Sequence, residues 1–88
     1  MHYSFAMKVK LLLFASIREL VGASQVELDL PSDATVSVML QTLASLYPGA
    51  QGSLDQINVA INKVYVKSSD TVIKECDTIA LIPPLSGG

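Results

Sequence analysis

The sequence predicts an α+β fold in which one main helix lies across a mixed β-sheet, and two features indicate it. Apolar residues recur at helical spacing over one long segment, residues 36–47, whereas five other segments alternate or run as short apolar stretches. The order strand, short helix, strand, long helix and then several strands suits a sheet with a helix packed on it. With 88 residues, the chain can fill a single small core.

The first predicted elements are a strand over residues 8–15 and a short helix over residues 16–21. One face of the strand carries Val9, Leu11, Leu13 and Ala15, and the other carries Lys8, Lys10, Leu12 and Phe14. Ser16 and Glu19 have the spacing of a helix-capping box, and Gly22 supplies a stop. We therefore expect a strand that leads directly into a short capped helix.

The next predicted elements are a half-buried strand and the main helix. In residues 25–30 apolar and polar residues alternate strictly up to Pro31, which is typical of a strand beside water. This strand is expected to pair with the first one as a hairpin. The main helix is predicted from the i, i+3, i+4, i+7 and i+11 positions Val36, Met39, Leu40, Leu43 and Tyr47.

The second half of the chain predicts three strands and their connections. A loop is expected at residues 49–53, then strands at 57–61 and 64–66 around an Asn62-Lys63 turn, and a last strand at 78–82. The last strand is almost continuously apolar, which favours a central position covered on both faces. If it lies beside the first strand, a common apolar surface is expected from Leu12, Phe14, Ala80 and Ile82.

Composition excludes several classes of protein. The net charge is −2 and the sequence has no basic cluster, which disfavours nucleic-acid binding. No apolar stretch approaches the ~20 residues that span a bilayer, so no membrane association is expected. A single cysteine, Cys76, cannot form an internal disulfide, and no cluster of metal ligands or catalytic side chains is evident. We expect a cytosolic protein (cytoplasmic) that does not catalyse a reaction alone.

The C-terminal segment carries the chemistry. After Asp77 the chain has no ionisable group except the terminal carboxylate. Pro83 and Pro84 should stop sheet pairing at Ile82, and the six residues from 83 to 88 could then reach up to ~19 Å as an extended tail. Because Gly87 and Gly88 lack a Cβ, a partner could close around their backbone and reach the carboxylate.

These observations divide the chain into three parts. Residues 1–6 show no clear periodicity and are expected to be an N-terminal extension or an expression scar. Residues 7–82 form the domain, and residues 83–88 form the extended C-terminal tail.

The sequence resembles the molybdopterin synthase small-subunit family of sulfur carriers, whose fold is the ubiquitin-like β-grasp. The resemblance covers residues 7–88 and rests mainly on residues 14–22 and on residues 77–88, with their Pro-Pro-Leu-Ser-Gly-Gly ending. Weaker support comes from Ala60-Ile61-Asn62.

The resemblance implies a function for the terminal carboxylate. In that family a ubiquitin-activating-like adenylyltransferase/sulfurtransferase uses ATP to adenylate the final glycine, which becomes a thiocarboxylate; Gly88 is the matching position. The large subunit of molybdopterin synthase then receives the tail, and the sulfur passes to a pyranopterin precursor to build the dithiolene of the molybdenum cofactor. The family assembles as a 2+2 heterotetramer, and no cofactor is expected to bind this chain itself.

Candidate site residues follow from the tail and from the expected apolar surface. Gly88 is the predicted reactive residue, and Gly87 is predicted to fit a narrow channel. The predicted partner-binding residues are Phe14, Tyr65, Ile82, Pro83, Pro84, Leu85 and Ser86. For Phe14, Tyr65 and Ile82, packing in the core is the competing interpretation.

Three other functions stay open at this point. A sulfur carrier of the thiamine pathway also ends in Gly-Gly but lacks the preceding Pro-Pro. A ubiquitin-like modifier would instead be joined through its last glycine to lysines of other proteins. A binding module with an inert tail would tolerate deletion of Gly88.

Overall fold

The structure, a computed structural model, describes residues 7–84, which form a five-stranded sheet with helical segments packed on one face. The strands are β1 (Met7–Leu13), β2 (Gln25–Leu30), β3 (Asn58–Ile61), β4 (Val64–Val66) and β5 (Thr78–Ile82). The helices are α1 (Ala15–Val21), α2 (Val36–Leu46) and α3 (Gln51–Leu54), with a 3-10 turn at Pro48–Ala50.

The strand order is β2-β1-β5-β3-β4, and it confirms the predicted mixed sheet. β1 is antiparallel to β2 and parallel to β5, while β3 is antiparallel to both β4 and β5. The first and last strands are therefore neighbours, which is the condition for the common apolar surface. Parallel pairing of β1 and β5 requires a long connection, and α2 provides part of it by crossing the sheet.

The core lies between the sheet and α2. β1 alternates as predicted, with Lys8 and Lys10 exposed between buried neighbours. α2 buries Val36, Met39 and Leu43, and its N-cap Thr35 accepts a hydrogen bond from the backbone N–H of Val38 at 3.3 Å. The buried side chains on the helix-facing side of the sheet are Met7, Val9, Leu11, Leu13, Leu28, Leu30, Val59, Ile79 and Leu81.

The predicted capping box at Ser16 and Glu19 is wrong. The N-cap of α1 is Phe14, whose side chain makes no capping hydrogen bond, and Ala15, expected to end the strand, is already helical. The helix begins early because the Phe14 carbonyl accepts from the N–H groups of Ile17 at 3.2 Å and Arg18 at 3.4 Å, which leaves Ser16 inside the first turn, where it cannot cap. The predicted stop is confirmed: Gly22 is left-handed (φ 87°) and its N–H donates to the carbonyl of Arg18 at 2.8 Å.

The predicted loop at residues 49–53 is also wrong, since this stretch forms the 3-10 turn and α3. Ala50 and Leu54 are both buried, and their spacing of four residues places them on one helical face. Burial of Ala50 and Leu54 against the core favours helical turns in this stretch. The polar and glycine residues between them gave no sign of a helix.

The predicted central position of β5 is confirmed, but its predicted coverage on both faces is not. Ile79 and Leu81 are buried on the helix-facing side, whereas Thr78, Ala80 and Ile82 on the other side are only partly buried. The described helices all pack on the first side, so the second side of the sheet is left open. We call this second side the outer face.

Candidate functional site

The outer face carries an apolar row across four strands. The strand register pairs Leu12 with Ala80, Ala80 with Ala60, and Ala60 with Tyr65. Leu12 and Ala80 also line a cavity of about 310 Å³ together with Asn62, Lys63 and Thr78. The predicted common surface is therefore present for Leu12 and Ala80, which lie side by side and remain accessible.

The β1–β2 end of the outer face is charged. Lys8 and Asp29 are register partners joined by an ion pair of 3.5 Å, and Lys10 is opposite Glu27. These side chains are exposed, so the pairs add little stability. Their effect is to separate a charged half of the outer face from the apolar half that runs from Leu12 to Tyr65.

The tail leaves the domain at the opposite end of β1 and β5. Because Leu13 pairs with Leu81 in a parallel ladder, the next residues, Phe14 and Ile82, come to the same end of the sheet. Phe14 is 44% exposed and Ile82 is partly buried. Sheet pairing stops at Ile82, as the prolines predict.

Pro83 and Pro84 start the tail between α1 and α3. They line a cavity of about 190 Å³ with Ser16 of α1 and with Gly52, Ser53 and Gln56 in and after α3. Pro83 is partly buried and Pro84 is exposed, so the chain emerges into solvent here. The predicted site residues Leu85, Ser86, Gly87 and Gly88 lie outside the described residues.

A hydrogen-bonded clamp that the sequence did not predict holds the β3–β4 turn against the start of β5. The Asn62 side chain donates to Asp77 Oδ1 at 2.9 Å and accepts from the Thr78 N–H at 3.0 Å. Asp77 Oδ2 accepts from the Lys74 N–H at 2.9 Å, and the Asn62 N–H donates to the carbonyl of Thr78 at 2.8 Å. These bonds fix the rim of the outer-face cavity.

The clamp depends on backbone conformations that few residues favour. Asn62 and Lys63 both have positive φ, 51° and 74°, which is the geometry of a two-residue hairpin turn and confirms the predicted turn. The sequence contained a signal for the clamp, since an Asn in a tight turn and an Asp before a strand commonly satisfy nearby backbone groups. What it could not show is that residues 15 positions apart share one bond.

The predicted partner-binding residues fall into two places. Phe14, Ile82, Pro83 and Pro84 lie at the end of the sheet from which the tail leaves, whereas Tyr65 lies at the β4 edge, 65% exposed. In the part of the chain from residue 7 to residue 84, no group of three or more His, Cys, Asp or Glu residues could hold a metal ion. None of the helices described there is long and apolar enough to cross a membrane.

Comparison with known proteins gives one family and a set of related chains. The ThiS family matches residues 11–88. The molybdopterin synthase sulfur carrier subunit of Dictyostelium discoideum is 37% identical over 81 residues, which are 90% of this chain and 94% of that protein. The protein of the same name from Drosophila erecta is 42% identical over 82 residues, which are 91% and 90% of the two chains.

Solved structures share the ubiquitin-like β-grasp fold. SAMP1, a small archaeal modifier protein of Haloferax volcanii, superposes with a TM-score of 0.82 and 30% identity, covering 92% of this chain and 99% of that one. A chain in the complex of subunits 1 and 2 of the molybdopterin-converting factor of Helicobacter pylori superposes with a TM-score of 0.68 and 21% identity. That match covers 93% of this chain and 100% of the other. The predicted β-grasp fold is confirmed.

Proposed function

Because the chain belongs to the ThiS family, we propose that it is the sulfur carrier subunit of a molybdopterin synthase. The observation that carries the proposal is the identity of 37% and 42% to two sulfur carrier subunits over nine-tenths of the chain. The position of β5 also supports the proposal, since this strand ends at one end of the sheet and leads directly into a tail without ionisable side chains.

The reactive atoms in this proposal belong to the Gly88 carboxylate. A carboxylate oxygen attacks the α-phosphorus of ATP in an activating adenylyltransferase, pyrophosphate leaves, and a glycyl adenylate forms. Bisulfide, or a sulfur donor at the same oxidation level, then attacks the acyl carbon and AMP leaves. The product is a thiocarboxylate, in which one oxygen of Gly88 has been replaced by sulfur.

Sulfur transfer restores the starting carboxylate. The thiocarboxylate sulfur forms a bond to a carbon of the pyranopterin precursor as an oxygen substituent leaves that carbon, and water then breaks the bond between the acyl carbon and the sulfur. One carrier delivers one sulfur, so the dithiolene of the product requires two. This stoichiometry fits two carrier chains on a large-subunit dimer, which is the 2+2 heterotetramer that we propose.

The large subunit is proposed to dock on the outer face and around the tail exit. The Helicobacter pylori chain with the same fold comes from a complex of subunits 1 and 2 of the molybdopterin-converting factor. In this chain Phe14 is exposed beside the exit, and Leu12 and Ala80 form an accessible apolar row. Apolar and aromatic side chains at the centre of an interface carry most of its binding energy.

Intact-mass measurement tests the carrier function. The protein is incubated with ATP, the activating adenylyltransferase and bisulfide, beside a matched chain that lacks Gly88. We expect the full chain to gain the mass difference between sulfur and oxygen and the shortened chain to gain nothing. Isopeptide-linked ladders with other proteins would instead indicate a modifier, and no mass change in the full chain would contradict both.

A second step separates the two carrier pathways. The thiocarboxylated chain is mixed with a molybdopterin synthase large subunit and the pyranopterin precursor, and dithiolene formation is measured. We expect conversion that stops when two carrier chains have been used per product. A chain that is thiocarboxylated but transfers no sulfur here would indicate a carrier for another pathway, such as thiamine synthesis.

A further inference from the structure

The β4 edge of the sheet has hydrogen-bonding groups that no described strand uses. β4 pairs only with β3, and the two-residue turn makes Ile61–Val64 and Val59–Val66 the bonded pairs of this hairpin. The backbone N–H and C=O of Tyr65 therefore point away from β3. Within residues 7–84 they have no other backbone partner. An edge of this kind is a template for one more strand.

The side chains at this edge are apolar and exposed on both sides. Val64 and Tyr65 are each 65% exposed, although Val64 points to the helix-facing side and Tyr65 to the outer face. On the helix-facing side Val66 and Leu40 line a cavity of about 350 Å³ between α2 and the β3–β4 hairpin. A strand added to β4 would place alternate side chains over this cavity.

Two lysines flank the apolar part of the edge. Lys63 and Lys67 precede and follow β4, both are exposed, and neither makes a salt bridge to another residue between 7 and 84. The edge sequence is thus Lys-Val-Tyr-Val-Lys, with one positive charge at each end of β4. Lys63 is the second residue of the β3–β4 turn (φ 74°), and Lys67 lines the cavity beside Val66. The opposite edge, β2, carries Glu27 and Asp29 and has no such pattern.

We propose that β4 receives an extended segment of a partner protein in which two apolar residues alternate between two acidic ones. In antiparallel pairing, the acidic residues lie at the two ends of β4, near Lys63 and Lys67, the apolar residues lie opposite Val64 and Val66, and the central residue exchanges both hydrogen bonds with Tyr65. Attraction between the opposite charges at each end favours this register. The segment adds a sixth strand beside the five described.

A second copy of this chain is a poorer occupant of the same edge. Antiparallel self-pairing centred on Tyr65 brings Lys63 of each copy to the same end of the strand pair as Lys67 of the other. Like charges brought together in this way repel each other. The partner site is also distinct from the tail exit, since β3 separates β4 from β5, the strand that leads into the tail. A partner can therefore hold β4 while the tail is engaged elsewhere.

Titration of the isotope-labelled protein with short peptides tests the proposal. The first peptide contains Asp-Val-Thr-Val-Asp, the second contains Lys-Val-Thr-Val-Lys, and the third is the acidic peptide with an N-methyl group on its threonine nitrogen. We expect the acidic peptide alone to shift the amide signals of residues 63–67 and to slow hydrogen exchange at Tyr65. The N-methyl peptide keeps every side chain but loses the bond to the Tyr65 carbonyl.

Charge reversal supplies the matched protein variants. Replacing both lysines, Lys63→Glu with Lys67→Glu, should weaken the acidic peptide roughly tenfold or more and admit the lysine peptide. Lys74→Glu changes the same kind of exposed charge away from the edge and should leave the affinity unchanged. Equal binding of the acidic and N-methyl peptides, signal shifts confined to other strands, or self-association without peptide would overturn the proposal. A chain lacking Gly88 should bind like the full chain, so this test is independent of sulfur transfer.

Discussion

Replacing Phe14 by aspartate should weaken association with the large subunit far more than it weakens the fold. Phe14 is 44% exposed, so a little over half of an aromatic surface of roughly 200 Å² is covered in the domain. At about 25 cal/mol per Å², losing that coverage costs at most about 3 kcal/mol. Phe14 also occupies the N-cap position of α1 without making a capping hydrogen bond, and an aspartate there can cap the helix and add about 1 kcal/mol of folding stability.

The expected net loss of folding stability is therefore about 2 kcal/mol, which lowers Tm by roughly 10 °C in a domain of this size. The neighbouring substitution Leu13→Asp gives the contrast. Leu13 is 1% exposed, and an unpaired carboxylate there costs several kcal/mol beyond the lost apolar burial. That total approaches the whole stability of a domain of this length, roughly 4–13 kcal/mol, so Leu13→Asp should not fold.

The assay is calorimetric titration of each folded variant with the large subunit, well below its Tm. We expect Phe14→Asp to lose at least about 2 kcal/mol of binding, a roughly 30-fold rise in Kd. Leu20→Asp is the control, because Leu20 of α1 is similarly exposed, at 49%, and should bind normally. Phe14→Asn, which caps without charge, separates loss of the ring from repulsion. Wild-type affinity of Phe14→Asp, or its failure to fold, would refute the reasoning.

Three further substitutions test the tail, the clamp and the helix stop. Gly87→Ala should slow both thiocarboxylation and sulfur transfer, by ~100-fold if the added methyl displaces Gly88 by ~1 Å. Single-turnover rates are measured with each partner separately, and wild-type rates in both steps would exclude a narrow channel. Asp77→Ala, which removes the acceptor for Asn62 and for the Lys74 N–H, should cost about 1–2 kcal/mol in urea unfolding, whereas exposed Asp70→Ala should change little. Gly22→Ala should lower the free energy of unfolding by about 1–2 kcal/mol through its φ of 87° alone, because an added Cβ meets nothing within 4 Å. Gly49→Ala is the control, since that position is equally open but has no positive φ. An equal loss of stability in both variants would contradict the reasoning.

The local elements were determined by the sequence because their signals are local. Alternation of apolar and polar residues over 25–30 indicates a strand with one solvent-exposed and one buried face, and the spacing of apolar residues from Val36 to Tyr47 indicates a helix with one buried stripe. Gly22 and the Asn62-Lys63 turn indicate positive φ, and Pro83 predicts where the pairing of β5 in the sheet ends. The proposed chemistry of the Gly-Gly ending also rests on sequence, because the group proposed to react belongs to the main chain.

Tertiary structure decided the points that depend on distant partners. Phe14 rather than Ser16 is the N-cap of α1, which packs Ile17 in the core, and burial of Ala50 and Leu54 favours helix where a loop was predicted. The hydrogen bond from Asn62 to Asp77 exists only because β3 and β5 are neighbours. The apolar character of β5 could not show which face the helices cover, since period-two alternation is lost when both faces are apolar. Packing settled that question by leaving one face of the sheet open beside the strand that carries the tail.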